Sequence, residues 1–124
     1  MQQNPSASPA PILVVEDDDL VRMVAVDMLE GVGFEVTEAD TADAAWSLLE
    51  KGCAFGALFT DIDMPGSMDG LTLAGRVAER WPRIRLVVTS GRYGLRDADM
   101  PDDGRFLLKP YRQDQLLEAI AAAA

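Results

Sequence analysis

The chain has 124 residues, 48% of them hydrophobic and 26% charged, enough for one domain that buries its own core without disulfides or a structural metal. It has no His and a single cysteine, Cys53, which excludes a Ser-His-Asp triad, a Cys-His pair, a His-bearing zinc site and an intramolecular disulfide. The formal charge of -10 repels phosphates and argues against nucleic acid as a direct partner; it is also uneven, with 13 acids and 2 bases in residues 1–63 against 8 acids and 9 bases in residues 64–124.

Residues 1–11 are polar and Pro-rich without periodicity, and are expected to form a flexible leader ahead of a domain over 12–122. They lack the charged and apolar regions of a signal peptide, and no apolar run of about 18 residues follows, so a cytoplasmic protein without membrane insertion is expected. Ile12 to Val15 is a continuous apolar run, as a parallel strand buried on both faces requires. The acids Glu16 to Asp19 suit a helix start, and Val21, Val24, Ala25, Met28, Leu29 and Val32 follow at helical spacing up to Gly33. Phe34 to Ala39 reads as a second strand; Thr41 caps a helix with Ala44, Ala45, Leu48 and Leu49 on one face, ending near Gly52.

Ala57 to Thr60 is a third buried strand ending at Asp61, followed by a loop through Pro65 and Gly66 and a helix carrying Leu71, Ala74, Val77, Ala78 and Trp81, stopped by Pro82. Ile84 to Thr89 is a fourth strand, Phe106 to Leu108 a fifth, and residues 113 to about 122 a closing helix with Leu116, Leu117 and Ile120 inward. Between the last two strands, Arg92 to Gly104 has too narrow an apolar stripe for a stable helix, so a loop or at most one helical turn is expected. The alternation predicts an α/β doubly wound five-stranded parallel sheet with a short or missing fourth helix and its site at the carboxyl ends of the strands.

Chemistry-bearing residues stand at those ends: Glu16, Asp17 and Asp18 after the first strand, Asp61 and Asp63 after the third, Thr89 and Ser90 after the fourth, Lys109 after the fifth. Crowded carboxylates repel one another, and a divalent cation held through oxygen relieves this; Mg²⁺ fits, since one or two carboxylates and a phosphoryl oxygen commonly hold it. Lys109 ends a buried strand, where a compact ammonium reaches a phosphoryl oxygen as a point charge or simply snorkels to solvent. Helix capping accounts for Asp17 to Asp19 but not for Asp61, which directly follows an apolar strand.

Val14-Val15-Glu16-Asp17-Asp18, Asp61-Ile62-Asp63-Met64-Pro65, Met68-Asp69-Gly70, Val88-Thr89-Ser90-Gly91 and Lys109-Pro110 together resemble the receiver domain of two-component response regulators, which implies its flavodoxin-like fold with strand order 2-1-3-4-5. The resemblance implies that Asp61 takes a phosphoryl group from a phosphohistidine on a sensor histidine kinase or phosphotransfer protein. It further implies that Asp17 and Asp61 ligate Mg²⁺, with Glu16 acting through water and Asp63 through its backbone carbonyl. Thr89 and Lys109 would contact phosphoryl oxygens, and Thr89 and Phe106 would form the switch that alters an output surface for a downstream protein. Without His the sequence carries no phosphohistidine of its own, so transfer is expected in trans.

Three departures stand out: Gly66 and Ser67 both intervene before Met68, one residue more than the family's loop; the fourth helix is degraded; and the sequence stops at Ala121 to Ala124, as a stand-alone receiver or an excised piece. Two alternatives remain. One is a pseudo-receiver that binds partners without phosphorylation. The other is a phosphatase of the haloacid dehalogenase type, whose Asp-x-Asp pair matches Asp61-Ile62-Asp63 but follows the first strand in that family.

Overall fold

The computed structural model describes residues 10–52, 54–64, 66, 68–91 and 95–123; the expected leader up to residue 9, Cys53, Pro65, Ser67 and Arg92 lie outside the described residues. Five parallel strands, β1 (Ile12–Val15), β2 (Val36–Ala39), β3 (Ala57–Asp61), β4 (Arg85–Ser90) and β5 (Arg105–Leu108), form one sheet in the order β2-β1-β3-β4-β5. Four helices alternate with them: α1 (Asp19–Glu30), α2 (Ala42–Glu50), α3 (Gly70–Arg80) and α4 (Gln113–Ala122). This is the doubly wound arrangement expected from the alternation.

The side-chain period of two divides the core between the sheet's faces. Leu13, Val15, Leu58, Leu86 and Val88 pack with Ala45 and Leu49 of α2 and Leu73, Ala74 and Val77 of α3. Ile12, Val14, Phe59 and Val87 pack with Ala25, Val26 and Leu29 of α1 and Leu116 and Ile120 of α4. β1 is covered on both faces, all four of its residues being buried, which is why its sequence is continuously apolar rather than alternating. At roughly 1.5–3 kcal/mol per buried aliphatic side chain, such central strands dominate the stabilisation. Tyr111 adds an edge-on contact with Phe59, ring centroids 5.5 Å apart.

Several boundaries differ from the sequence expectation. α1 ends at Glu30, with Gly31 as its C-cap; Gly33, at φ +99°, shapes the turn beyond rather than the helix end. Val32 therefore lies past the helix and is exposed, as is Val24, while Val26 takes a core place not expected of it. β2 starts at Val36 rather than Phe34, and β4 runs from Arg85 to Ser90 rather than from Ile84 to Thr89, so Ser90 joins Thr89 as a strand residue. Trp81 is the half-buried C-cap of α3, where Pro82 follows. Between β4 and β5 the described residues hold only one short 3-10 turn, Asp97–Asp99, in keeping with a missing fourth helix. It is tied to the edge strand by Asp97, which accepts from the Phe106 amide at 2.9 Å and from Arg105 at 3.0 Å.

Candidate functional site

The carboxyl ends of β1, β3, β4 and β5 converge, and the register sets Asp61 directly opposite Thr89 across β3 and β4. Glu16, Asp17 and Asp61 come together there: one carboxylate oxygen from each lies within 4.8 Å of the others. Asp61 is 3% and Glu16 5% exposed, whereas Asp17 stands in solvent. Lys109 Nζ bridges the two buried acids, 2.8 Å from Glu16 Oε1 and 3.1 Å from Asp61 Oδ1. The second contact is an ion pair too poorly aligned for a hydrogen bond, so among the described residues the buried Asp61 Oδ1 has no hydrogen-bond donor.

Burial pushes the Asp61 carboxyl above the usual carboxylate range, against the lowering by Lys109, and Glu16 is raised for the same reason. Burial opposes the Lys109 charge as well, but its contacts with Glu16 and Asp61 outweigh this and hold its pKa above the ordinary lysine value. One ammonium thus faces two desolvated carboxylates, with exposed Asp17 beside them. An oxygen donor set with an orphaned carboxylate oxygen suits a hard divalent cation.

The remaining expected residues fall into different places. Asp18 does not join the cluster; its carboxylate accepts from the Val21 amide at 3.0 Å and caps α1. Asp63 is exposed on the same rim, and its Oδ2 accepts from the Ser90 hydroxyl at 2.9 Å. The Thr89 hydroxyl donates to the Leu107 carbonyl at 2.6 Å, so in this conformation it is engaged with β5. Phe106 is half-buried against the core on the α2 and α3 face.

Two residues that shape the site were not singled out from sequence. Gly70 opens α3 where the helix meets the end of β3: its amide donates to the Ile62 carbonyl at 3.1 Å, and a Cβ there would overlap the Asp61 carbonyl oxygen. Its signal was its place in the Met68-Asp69-Gly70 motif, with Asp69 capping the helix by accepting from the Thr72 amide at 2.8 Å. Gly70→Ala should therefore destabilise the fold by about 3 kcal/mol, the upper range for overpacking a close contact, and displace Asp61. Denaturant unfolding checks this; a cost below about 0.5 kcal/mol would contradict the close approach. The second residue is Arg22, whose guanidinium donates to the Glu16 carbonyl at 2.8 Å.

Comparison with known proteins agrees with this geometry. Residues 12–121 match the response regulator receiver domain family. The chain is 34% identical over 119 residues to the response regulator protein FleR of Pseudomonas aeruginosa, covering 93% of this chain and 24% of FleR. It is 32% identical over 113 residues to the chemotaxis protein CheY of Bacillus subtilis, covering 88% of this chain and 92% of CheY. A response regulator receiver protein from Sinorhizobium medicae superimposes with a TM-score of 0.83 at 28% identity, over 93% of this chain and 94% of that one. The chain spans only about a quarter of FleR and 12% of the sensor kinase CckA of Brucella abortus, so the resemblance to those proteins concerns one domain of each. The match disfavours the haloacid dehalogenase alternative. With the sheet order, the acids gathered at the strand ends and a family match over residues 12–121, the chain belongs to the response regulator receiver domains of two-component signalling.

Proposed function

We propose that Asp61 is the phosphoacceptor of this domain, and that Glu16, Asp17, Asp63, Thr89 and Lys109 serve its phosphorylation. The observation that carries this reading is the buried Asp61 Oδ1, which among the described residues has no hydrogen-bond donor and lies beside a second buried acid, an exposed acid and an ammonium. A carboxylate oxygen of Asp61 attacks phosphorus, the P–N bond of the donor phosphohistidine breaks, and the electron pair leaves with the imidazole, giving an acyl phosphate.

Asp17 and Asp61 would hold Mg²⁺ directly, together with the Asp63 backbone carbonyl, and the ion supplies neutralisation of phosphoryl charge during transfer. Glu16 acts at one remove. Both of its oxygens already accept hydrogen bonds, from Lys109 at 2.8 Å and from the Asp18 amide at 3.2 Å, which suits contact through water. Lys109, already near Asp61, shifts its point charge onto a phosphoryl oxygen once that oxygen is there. Thr89 exchanges its bond to the Leu107 carbonyl for one to the phosphoryl group, and Phe106, next along β5, follows it as the second part of the switch.

The donor in this reading is a sensor histidine kinase or phosphotransfer protein acting in trans in the cytoplasm, and the switched surface engages a downstream protein rather than nucleic acid. Among the described residues, no helix is long and apolar enough to cross a membrane.

Incubation with acetyl phosphate and Mg²⁺, followed by intact-mass measurement, should show one added phosphoryl group. An ordered protein that gains none would instead be a binding module that works unphosphorylated. Lys109→Arg keeps the charge but replaces a point donor with a planar fork, so phosphorylation should slow by about tenfold to a hundredfold while the melting curve stays cooperative. A wild-type rate in Lys109→Arg would remove the point-charge argument.

A further inference from the structure

Residues 1–63 contain only two cations, Arg22 and Lys51, and the first of them sits beneath the most acidic stretch of the chain. The Arg22 guanidinium, 17% exposed, makes three bonds at once: Nη1 to the Glu16 carbonyl at 2.8 Å, Nε to Glu38 Oε1 at 3.1 Å and Nη2 to Asp19 Oδ1 at 2.7 Å. The Asp19 and Glu38 carboxylates are 90% and 51% exposed, so these pairs contribute little as ion pairs. What they do is fix the plane of the guanidinium. Glu38 belongs to β2 and lies beside Val14 of β1 in the register, so the fork spans from the sheet to the first turn of α1. Its third nitrogen, Nη1, donates to the backbone carbonyl of Glu16, the residue that begins the acidic loop.

We propose that Arg22 is a positioning residue for the acidic site: by holding the Glu16 carbonyl from a frame fixed on Glu38 and Asp19, it sets the loop conformation that brings Glu16 and Asp17 to Asp61. This rests on the reading of those acids as a cation site, and it has a consequence of unusual sign. Arg22 is itself a cation near that site, so if it served only to neutralise charge, removing it would tighten Mg²⁺ binding. As a positioning residue its loss weakens binding instead, by about tenfold, the usual scale for groups that orient ligands from behind.

The test compares wild type with Arg22→Met and with Arg22→Lys, which keeps the charge on a folded chain but cannot hold three divergent acceptors. Calorimetric titration with MgCl₂ alone should show about tenfold weaker binding in both variants. In metal-free protein, amide hydrogen exchange across residues 16–19 should accelerate about fivefold, while the β3 and β4 amides keep wild-type protection. Tighter Mg²⁺ binding in Arg22→Met, or unchanged exchange across 16–19 in both variants beside a wild type that binds Mg²⁺, would overturn the role of Arg22 alone. Faster exchange in the variants beside a wild type that takes up no Mg²⁺ would overturn the cation reading on which the inference rests.

Discussion

Asp61→Asn should abolish phosphorylation by acetyl phosphate and at the same time make the metal-free protein more stable at neutral pH. The first effect follows because the amide oxygen is too weak a nucleophile to replace the carboxylate. The second follows from burial. Asp61 is 3% exposed, its Oδ1 has no hydrogen bond among the described residues, and burial holds its pKa above the usual carboxylate range. A carboxyl whose folded-state pKa is raised contributes most to stability below its unfolded value, and loses that contribution as pH rises through the folded one. Well above the unfolded value, the buried Asp61 carboxyl therefore works against folding. Removing the charge leaves Lys109 paired with Glu16 at 2.8 Å, so no cation is stranded. The expected gain is about 1 to 2 kcal/mol, or roughly 3 to 8 °C in melting temperature, and it should vanish as the pH approaches 3.8, the ordinary value for Asp. Labelling of Asp61→Asn at the wild-type rate would refute the phosphoacceptor assignment. A lower melting temperature at pH 7 would show that the Lys109 contact outweighs the burial of Asp61.

Mg²⁺ should stabilise the wild-type protein by the same logic in reverse. A ligand at ten times its dissociation constant adds about 1.4 kcal/mol, close to 5 °C for a domain of this size. Protons and the ion compete for the same oxygens, and both buried acids have raised pKa values, chiefly through burial. The Mg²⁺ increment should therefore be full at neutral pH and disappear as the acids protonate, while the metal-free protein loses part of its stability over the same interval as pH rises. Asp17 is exposed and within ligand distance of both buried acids, so Asp17→Ala should lose most of the increment with little cost to the metal-free fold. Thermal melts with and without MgCl₂ at several pH values measure this directly. An equal rise in Asp17→Ala would mean that the ion acts by general screening.

Much of this protein could be read from its sequence alone, because the relevant physics is local or periodic. The apolar run Ile12 to Val15 has no alternation, which only a strand covered on both faces tolerates, and from that run the parallel sheet and its rim follow. Asp61 is legible because it ends a strand buried along its whole length, where a charge needs a reason; the same expectation for Lys109 is corrected by the structure, since it follows the half-buried edge strand β5. The poverty of the segment before β5 in apolar residues likewise excluded a full helix there.

Other features depend on partners distant in the chain, and only the folded structure decides them. Val24 and Val32 share a helical spacing with true core residues, yet helix length and rotation against the sheet leave both exposed and bury Val26 instead. The Thr89 hydroxyl could face either the acids or β5, and a carbonyl 18 residues away settles it. Gly70 shows no turn signature at its own position; it must be Gly because α3 starts against the Asp61 carbonyl. Arg22 looks in sequence like any surface arginine, since its acceptors lie 3, 6 and 16 residues away, in its own helix, in the loop after β1 and on β2. Local pattern determines which elements form and where a charged residue is costly. Which carboxylate meets which cation is decided only when the strand ends converge, because that choice depends on distances the chain acquires on packing.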